Sequence, residues 1–383
     1  MKILIYGTGN KAKTLMNRIE CYKNPVVEAF IETDKTKQFF YNRNVYSIKE
    51  LDKINGIDEI DYIVVAALCY EEIIWTIQLF WGDKYKRKTI FYVDFLDKII
   101  TTSELAPYNS VYLKSGLKFV YDSRDQVIGP LMRNTGDVFS KDSIECFLDL
   151  SKEYYGNNSD NTLFLDVGAN IGTTSLHVKK LKPSWEIAAI EPCMENFKIL
   201  KANCILNEME DIKCYNIALS SKSGSDELNY NPRNPGASGI VREDGIDIEL
   251  SESGVMEDFN KDSQIVEVST LDDFVAKEKK SNMQNILLWM DTQGFEARII
   301  QGGIRTLKEN HIPLFQEFNP IQYKHNKDLD DYVRNIGSIY SHFIDCEKLL
   351  SGSKEIININ KLGEYSLKVS NSTLGYTDLF FIR

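Results

Sequence analysis

Short apolar runs alternate with amphipathic stretches along this chain, and the alternation occurs twice with an interruption between. From residue 1 to about residue 96 the rhythm predicts strands over Lys2–Tyr6, Val26–Glu32, 62–67 and 90–93. Helices are predicted over 11–20, 48–54 and 71–79. Strands that alternate with helices imply right-handed crossovers and a parallel sheet. Between about residues 97 and 161 the pattern changes. Residues 117–121 read as one arm of a small hairpin, 143–154 as a helix, and the polar run GNNSDN as a loop. A second alternating series starts at Leu163, with strands predicted over Glu186–Ile190, 213–219, 266–269, 286–290 and 313–318. The pattern predicts an α/β chain of two domains. Residues 1–100 form a Rossmann-like parallel sheet, and residues 101–383 form a second sheet domain with 101–161 as its lead-in. A length of 383 residues fits two cores better than one.

Each series opens on a glycine-rich turn after a strand, and the two turns differ chemically. The first, Gly7-Thr8-Gly9-Asn10-Lys11-Ala12, follows KILIY and enters a helix. Glycines there let backbone N–H groups and a helix N-terminus approach a pyrophosphate. Glu32 ends the next strand, where an acid could hold a ribose diol. A bound nucleotide and an inert relic both fit this turn, and both readings stay open.

The second turn, Asp166-Val167-Gly168-Ala169-Asn170-Ile171-Gly172, carries a carboxylate at the strand tip. That charge would repel a pyrophosphate and favour S-adenosylmethionine, which carries an ammonium and a sulfonium. Gly168 and Gly172 leave room for the backbone to lie against such a ligand, and Asn170 adds amide groups at the same lip. The bland alternative, Asp166 as a turn cap, explains one residue but not the series. Glu191 ends the next strand and could accept both ribose hydroxyls. Asn216, Ala218 and Ser220 follow at the third strand, where the adenine edge is expected.

Composition narrows the picture. With 43% hydrophobic and 26% charged residues the chain reads as globular. A net charge of −11 disfavours a nucleic-acid surface. No apolar run approaches the roughly 20 residues of a membrane span, and residues 73–81 read as a buried helix. Opening directly on a strand predicts no signal peptide and a cytoplasmic setting. Seven scattered cysteines without a CxxC pair predict free thiols, and four histidines without ligand spacing predict no required metal.

The runs FLDVGANIGTTSL, IEPCMENFKILKANCILN, NIALSSKSG, STLDDF, LLWMDTQGFEARIIQGG, PLFQEFNP and YTDLFFIR resemble FkbM-type methyltransferases over about residues 112–383. The resemblance implies a class I methyltransferase domain, doubly wound and seven-stranded, whose last strand, Thr377–Ile382, is antiparallel. It also implies O-methylation of sugar or polyketide hydroxyls. One departure stands out: the family commonly has D-V-E-G where this chain has Asp291-Thr292-Gln293-Gly294. The N-terminal unit more loosely resembles nucleotide-binding-like domains on bacterial glycan-modifying enzymes.

A hydroxyl acceptor calls for a general base. Asp291 is the first candidate, then Glu317, then Glu296, each with a structural alternative: pocket floor, loop hydrogen bond and helix start. Residues 229–260 are the expected acceptor lid, with Arg233 or Arg242 placed to grip a phosphate. Trp289, Trp185 and His177 read as packing residues. The expected partner is a hydroxylated small molecule or glycan, and the chain is open to forming a homo-oligomer. Two alternatives remain: an NAD(P)-dependent sugar-nucleotide oxidoreductase or epimerase working from the first turn, and a non-catalytic binding protein.

Overall fold

The computed structural model describes residues 1–19, 25–54, 56–67, 70–92, 94–95, 108–156, 159–229, 239–240, 263–278 and 285–383. The chain divides into two compact units, Met1–Pro107 and one that opens at Tyr108. The expected lid, with Arg233 and Arg242, lies mostly outside the described residues.

The first unit is a six-stranded sheet of β1 (Lys2–Tyr6), β2 (Val26–Glu32), β3 (Phe39–Phe40), β4 (Arg43–Ser47), β5 (Tyr62–Val65) and β6 (Thr89–Phe91). Their order is β3-β4-β2-β1-β5-β6. β1 pairs in parallel with β2 and β5, so the Gly7 turn sits where the strand order reverses. Ile3, Ile5 and Phe30 fill one face, and Leu4, Ile31 and Ile63 the other. Burial on both faces explains the unbroken apolar runs. Two expectations change here, and one hairpin was not expected. Residues 48–54 hold only a single 3₁₀ turn, Leu51–Lys53, because Val45 and Ile48 are already inserted in the core from β4 and its exit. The β3–β4 hairpin, unmarked by any alternation, closes through Tyr41 and Asn42, both at positive φ (48° and 56°). The helix Tyr70–Trp81 buries only the stripe Ile73, Ile77 and Trp81, and leaves Trp75, Leu79 and Phe80 exposed.

The second unit begins with an antiparallel hairpin, β7 (Tyr108–Tyr112) and β8 (Lys118–Asp122), followed by helices Ile128–Thr135 and Lys141–Tyr155. The main sheet contains β9 (Thr162–Val167), β10 (Glu186–Ile190) and β11 (Lys213–Tyr215). A smaller sheet takes β12 (Ala218–Leu219), β13 (Gly224–Asn229), β14 (Gly239–Ile240) and β15 (Ser263–Ser269). The main sheet resumes with β16 (Asn285–Met290), β17 (Leu314–Phe318), β18 (His342–Asp345), β19 (Ile357–Asn358) and β20 (Thr377–Ile382). Its order is β11-β10-β9-β16-β17-β20-β18-β19. Along this order the strands β11, β10, β9, β16 and β17 pair in parallel with one another, and β20 inserts antiparallel between β17 and β18. This is the class I methyltransferase arrangement, with the short edge strand β19 making eight strands where seven are expected. Residues 213–219 do not form one strand: the chain leaves the main sheet after Tyr215 and joins β15 at Ala218. Trp289 stacks on Phe315 at 3.9 Å and 6°, and both belong to the core, as does Trp185.

Candidate active site

Doubly wound sheets expose their chemistry at the carboxyl ends of the strands. At the centre of the second sheet, β9 is buried along its whole length. Asp166, its penultimate residue, has no solvent exposure. Its Oδ2 accepts a hydrogen bond from the Ser175 hydroxyl at 2.5 Å, from the following helix Thr173–Leu181. Its Oδ1 has no partner among the described residues. Burial pushes this carboxyl up to about 7, against the Ser175 hydrogen bonds and with some repulsion from Asp291.

The turn that follows is locked by its neighbours. A Cβ on Gly168 (φ +86°) would lie 1.9 Å from the Asp291 carbonyl oxygen, and one on Gly172 would meet Leu200 and Leu176. These glycines are therefore demanded by the protein's own packing, rather than by ligand approach alone. Asn170, at φ 50°, donates its backbone N–H to Glu191 Oε2 at 2.8 Å. Cys193 donates its own N–H to Glu191 Oε1 at 2.9 Å. Glu191 is only 5% exposed, and burial raises its carboxyl to about 7 despite these amide donors, with Asp166 adding repulsion. Asp166 and Glu191 thus occupy neighbouring strand tips, bound to one turn and close enough to repel each other. Asn216 donates to the Glu191 and Pro192 carbonyls at 2.9 and 2.8 Å, so it braces the β10 exit. Ala218 is buried on β12 of the smaller sheet, in one core cluster with Val167, Ile190 and Cys193, because the third strand breaks at Asn216.

A second set of acids lines the same sheet edge. Asp291 follows β16 and is fixed by its N–H on the Val167 carbonyl at 3.0 Å. Gln293 donates its amide to Asp291 Oδ1 at 2.9 Å. Glu317 lies on β17, directly opposite Asp378 of β20. All three side chains are half-buried. Burial raises each carboxyl, and mutual repulsion raises Glu317 and Asp378 further. Asp378 was not among the sequence candidates. Its signal is present in YTDLFFIR, but only the β17–β20 register reveals it.

Glu296 is a different kind of acid. It has no exposure, its Oε1 accepts from the Thr292 N–H and hydroxyl at 2.7 and 2.8 Å, and its Oε2 accepts from Tyr323 at 3.0 Å. With both oxygens engaged inside the fold, Glu296 braces the 291–295 loop and is withdrawn from the candidate bases. Tyr323 is fully buried against it. His177 is buried with its Nε2 on Glu145 at 3.2 Å, as a packing residue would be.

In the first unit the turn is built but already engaged. Glu32 accepts hydrogen bonds from the Thr8 hydroxyl, the Thr36 hydroxyl and the Thr36 N–H, so both its oxygens have partners. A Cβ on Gly7 would meet the Ala66 carbonyl at 2.9 Å, whereas nothing lies within 4 Å of one on Gly9. Among the described residues no group of three or more His, Cys, Asp or Glu side chains is arranged to hold a metal ion. None of the described helices is long and apolar enough to cross a membrane.

Residues 166–340 match the family model described as the methyltransferase FkbM domain. Over that stretch the chain is similar to the FkbM methyltransferases. The matched stretch holds Asp166, Glu191, Asp291, Glu296 and Glu317, while Asp378 lies beyond it. Residues 1–86 match a second family model, described as C2185-like, N-terminal. The chain is 37% identical over 89 residues to methyltransferase sdnD of Sordaria araneosa, covering 23% of this chain and 34% of that one. It is 26% identical over 149 residues to methyltransferase 1 of Beauveria bassiana, covering 37% and 59%. The chain therefore spans about a third and three fifths of the lengths of these two curated relatives. Among solved structures, methyltransferase FkbM from Methylobacillus flagellatus KT aligns at 14% identity and a TM-score of 0.36, covering 99% of this chain and 89% of that one.

Proposed function

We propose that this chain is an S-adenosylmethionine-dependent O-methyltransferase whose acceptor is a hydroxyl of a sugar, nucleotide sugar or glycan. The observation that carries the reading is the unpartnered Oδ1 of Asp166, fully buried one strand away from Glu191. A buried carboxylate oxygen without a donor is costly, and a cationic donor relieves it. The ammonium of S-adenosylmethionine matches that need. Glu191, oriented by two backbone amides, keeps spare lone pairs for the ribose hydroxyls. When bound, the cofactor supplies a methyl group on a sulfonium that is already activated for displacement.

The remaining chemistry falls to the chain's own side chains. Ser175 holds Asp166 in one orientation. Asp291, aimed by Gln293, accepts the proton that the acceptor hydroxyl gives up. Such proton removal accounts for a rate factor of roughly 10²–10⁴. In the first unit, the acid that would hold a ribose is engaged by Thr8 and Thr36.

Titration calorimetry of the full chain with S-adenosylmethionine and with NAD tests this directly. The sulfonium compound is expected to bind, and Asp166→Ala or Glu191→Ala to weaken it by about tenfold to a hundredfold. Binding of NAD with no uptake of S-adenosylmethionine would overturn the proposal. Transfer of labelled methyl to a panel of hydroxylated sugars and nucleotide sugars then identifies the acceptor.

A further inference from the structure

The carboxyl edge of the second sheet holds three half-buried acids with no ion pair among the described residues: Asp291, Glu317 and Asp378. The charged groups that face Asp291 are Asp166 from the β9 tip, Glu296 from the helix after its own loop, Glu317 from β17 and Asp378 from β20. Every one is an acid. Like charges this close do not all ionise, so the set must divide into charged and neutral members.

Hydrogen bonding distinguishes the three. Asp291 Oδ1 receives the Gln293 amide at 2.9 Å. Asp378 Oδ2 receives only the Ser143 hydroxyl, at a longer 3.3 Å. For the Glu317 carboxyl no donor stands among the described residues, and only other acids act on it. An amide N–H can only donate, so it favours a carboxylate over a carboxylic acid, whereas a hydroxyl can also accept.

The placement of Gln293 is itself built. The residue sits at φ 54°, and Gly294 after it at φ 91°, where a Cβ would fall 2.1 Å from Gln322 Oε1. The buried Glu296 holds Thr292, just before it, by two hydrogen bonds. A loop with a strained corner, anchored on a buried acid, thus carries one amide to one carboxylate oxygen.

We propose that Gln293 is a positioning residue that selects Asp291 as the ionised member of the three-acid set, leaving Glu317 and Asp378 to carry the protons. The inference rests on the methyltransferase reading above and deepens it. One carboxylate acceptor beside protonated carboxyl donors suits an alcohol, which gives one hydrogen bond and accepts others. An ammonium, with three donors and no acceptor, would gain nothing from the protonated pair. Replacing the amide by a carboxylate at position 293 would add a fourth acid to the set and remove the selection.

The test is a ¹³C NMR titration of the full chain labelled at the aspartate carboxyl carbon. The signals of Asp291 and Asp378 are assigned by their loss in Asp291→Asn and Asp378→Asn. In the unsubstituted protein Asp291 is expected to titrate below Asp378. Gln293→Met, close in shape but without the donor, is expected to raise the Asp291 midpoint by about one pH unit, and Gln293→Glu by more. Should Gln293→Met fail to fold, as read by circular dichroism, Gln293→Leu also removes the donor without adding a charge and reports the same quantity. An Asp291 midpoint above that of Asp378, or one unmoved by loss of the amide, overturns the inference. S-adenosylmethionine affinity, measured on the same samples, keeps the two ideas apart. A chain that binds the cofactor with an unmoved Asp291 sinks only the role of Gln293, whereas a chain that does not bind it sinks the methyltransferase reading.

Discussion

Glu317 and Asp378 stand directly opposite one another across the antiparallel β17–β20 ladder. Residues paired in this way project from the same face with Cβ atoms about 5 Å apart, and like charges so placed are destabilising. The insertion of β20 between β17 and β18 creates the pair, since no parallel neighbour brings these two acids together. Two carboxyls that would repel in a purely structural sheet have been placed at the edge where chemistry is expected.

The cost of that pair is measurable. Both carboxyls are raised in the folded chain, mainly by burial. The folded state then holds protons that the unfolded chain releases above about pH 4, so this contribution to stability is present at low pH and is lost as pH rises. Asp378→Asn removes one member. It is expected to gain stability relative to the parent as pH rises from 5 to 8, by up to ~1 kcal/mol because both groups are partly solvated. Urea unfolding at the two pH values measures the difference. An unchanged difference would show that the pair is not under charge strain.

Asp291 and Glu296 are separated by different experiments. Asp291→Asn is expected to lower turnover by roughly 10²–10⁴ while cofactor binding persists. Glu296→Gln retains an acceptor for Thr292 and is expected to keep most turnover. Its effect is on stability. Glu296 is raised to about 7 by burial, so the parent loses stability as pH rises from about 4 through 7, and the glutamine variant does not. Thermal melting of both proteins between pH 5 and 8 should show the variant gaining steadily on the parent. A large loss of turnover in Glu296→Gln with unaltered melting would return Glu296 to the list of bases.

The two glycine turns also predict opposite tolerances. Gly168→Ala drives a Cβ into the Asp291 carbonyl at 1.9 Å and demands a positive φ of 86° from alanine. A loss of at least ~2 kcal/mol is expected. Gly9→Ala meets nothing within 4 Å and should cost under ~1 kcal/mol. Chemical denaturation of the two variants checks the contrast, and equal effects would contradict it.

Much of this site is written in the sequence at the strand tips. Asp166 and Glu191 could be placed because each ends an apolar run that is buried on both faces, and such runs announce themselves. Other features depend on partners far along the chain. Glu296 looks like an exposed helix start until Tyr323, twenty-seven residues later, closes over it. Asp378 acquires meaning only through its register with Glu317. The run KCYNIAL is apolar enough for one strand, yet Asn216 turns inward to the β10 exit and splits it, so Ala218 sits on β12 of the smaller sheet. The departure at Gln293 was visible as a letter, whereas its hydrogen bond to Asp291 required a loop with two successive positive φ values.

A last prediction concerns Asn203, a fully buried amide on the helix Met194–Leu206. Its Oδ1 accepts the Val120 N–H at 2.7 Å, and its Nδ2 donates to the Val120 carbonyl at 3.0 Å and to the Ile171 carbonyl at 2.9 Å. One side chain therefore ties the β7–β8 hairpin to the turn that runs from Asp166 to Gly172. Asn203→Ala removes the partner of one buried and two partly buried backbone groups, for an expected loss of about 2 kcal/mol or more. It should also weaken S-adenosylmethionine binding, because Ile171 lies within the turn proposed to hold the cofactor. Asn207 supplies the control: it clips Lys118 at both its N–H and its carbonyl, at 2.9 and 2.7 Å, without reaching that turn. Asn207→Ala should loosen the hairpin and leave cofactor affinity within about twofold of the parent. If both variants lose affinity alike, the hairpin itself supports the cofactor site and the Ile171 contact is incidental. If only Asn203→Ala does, the helix amide is what holds the turn in shape.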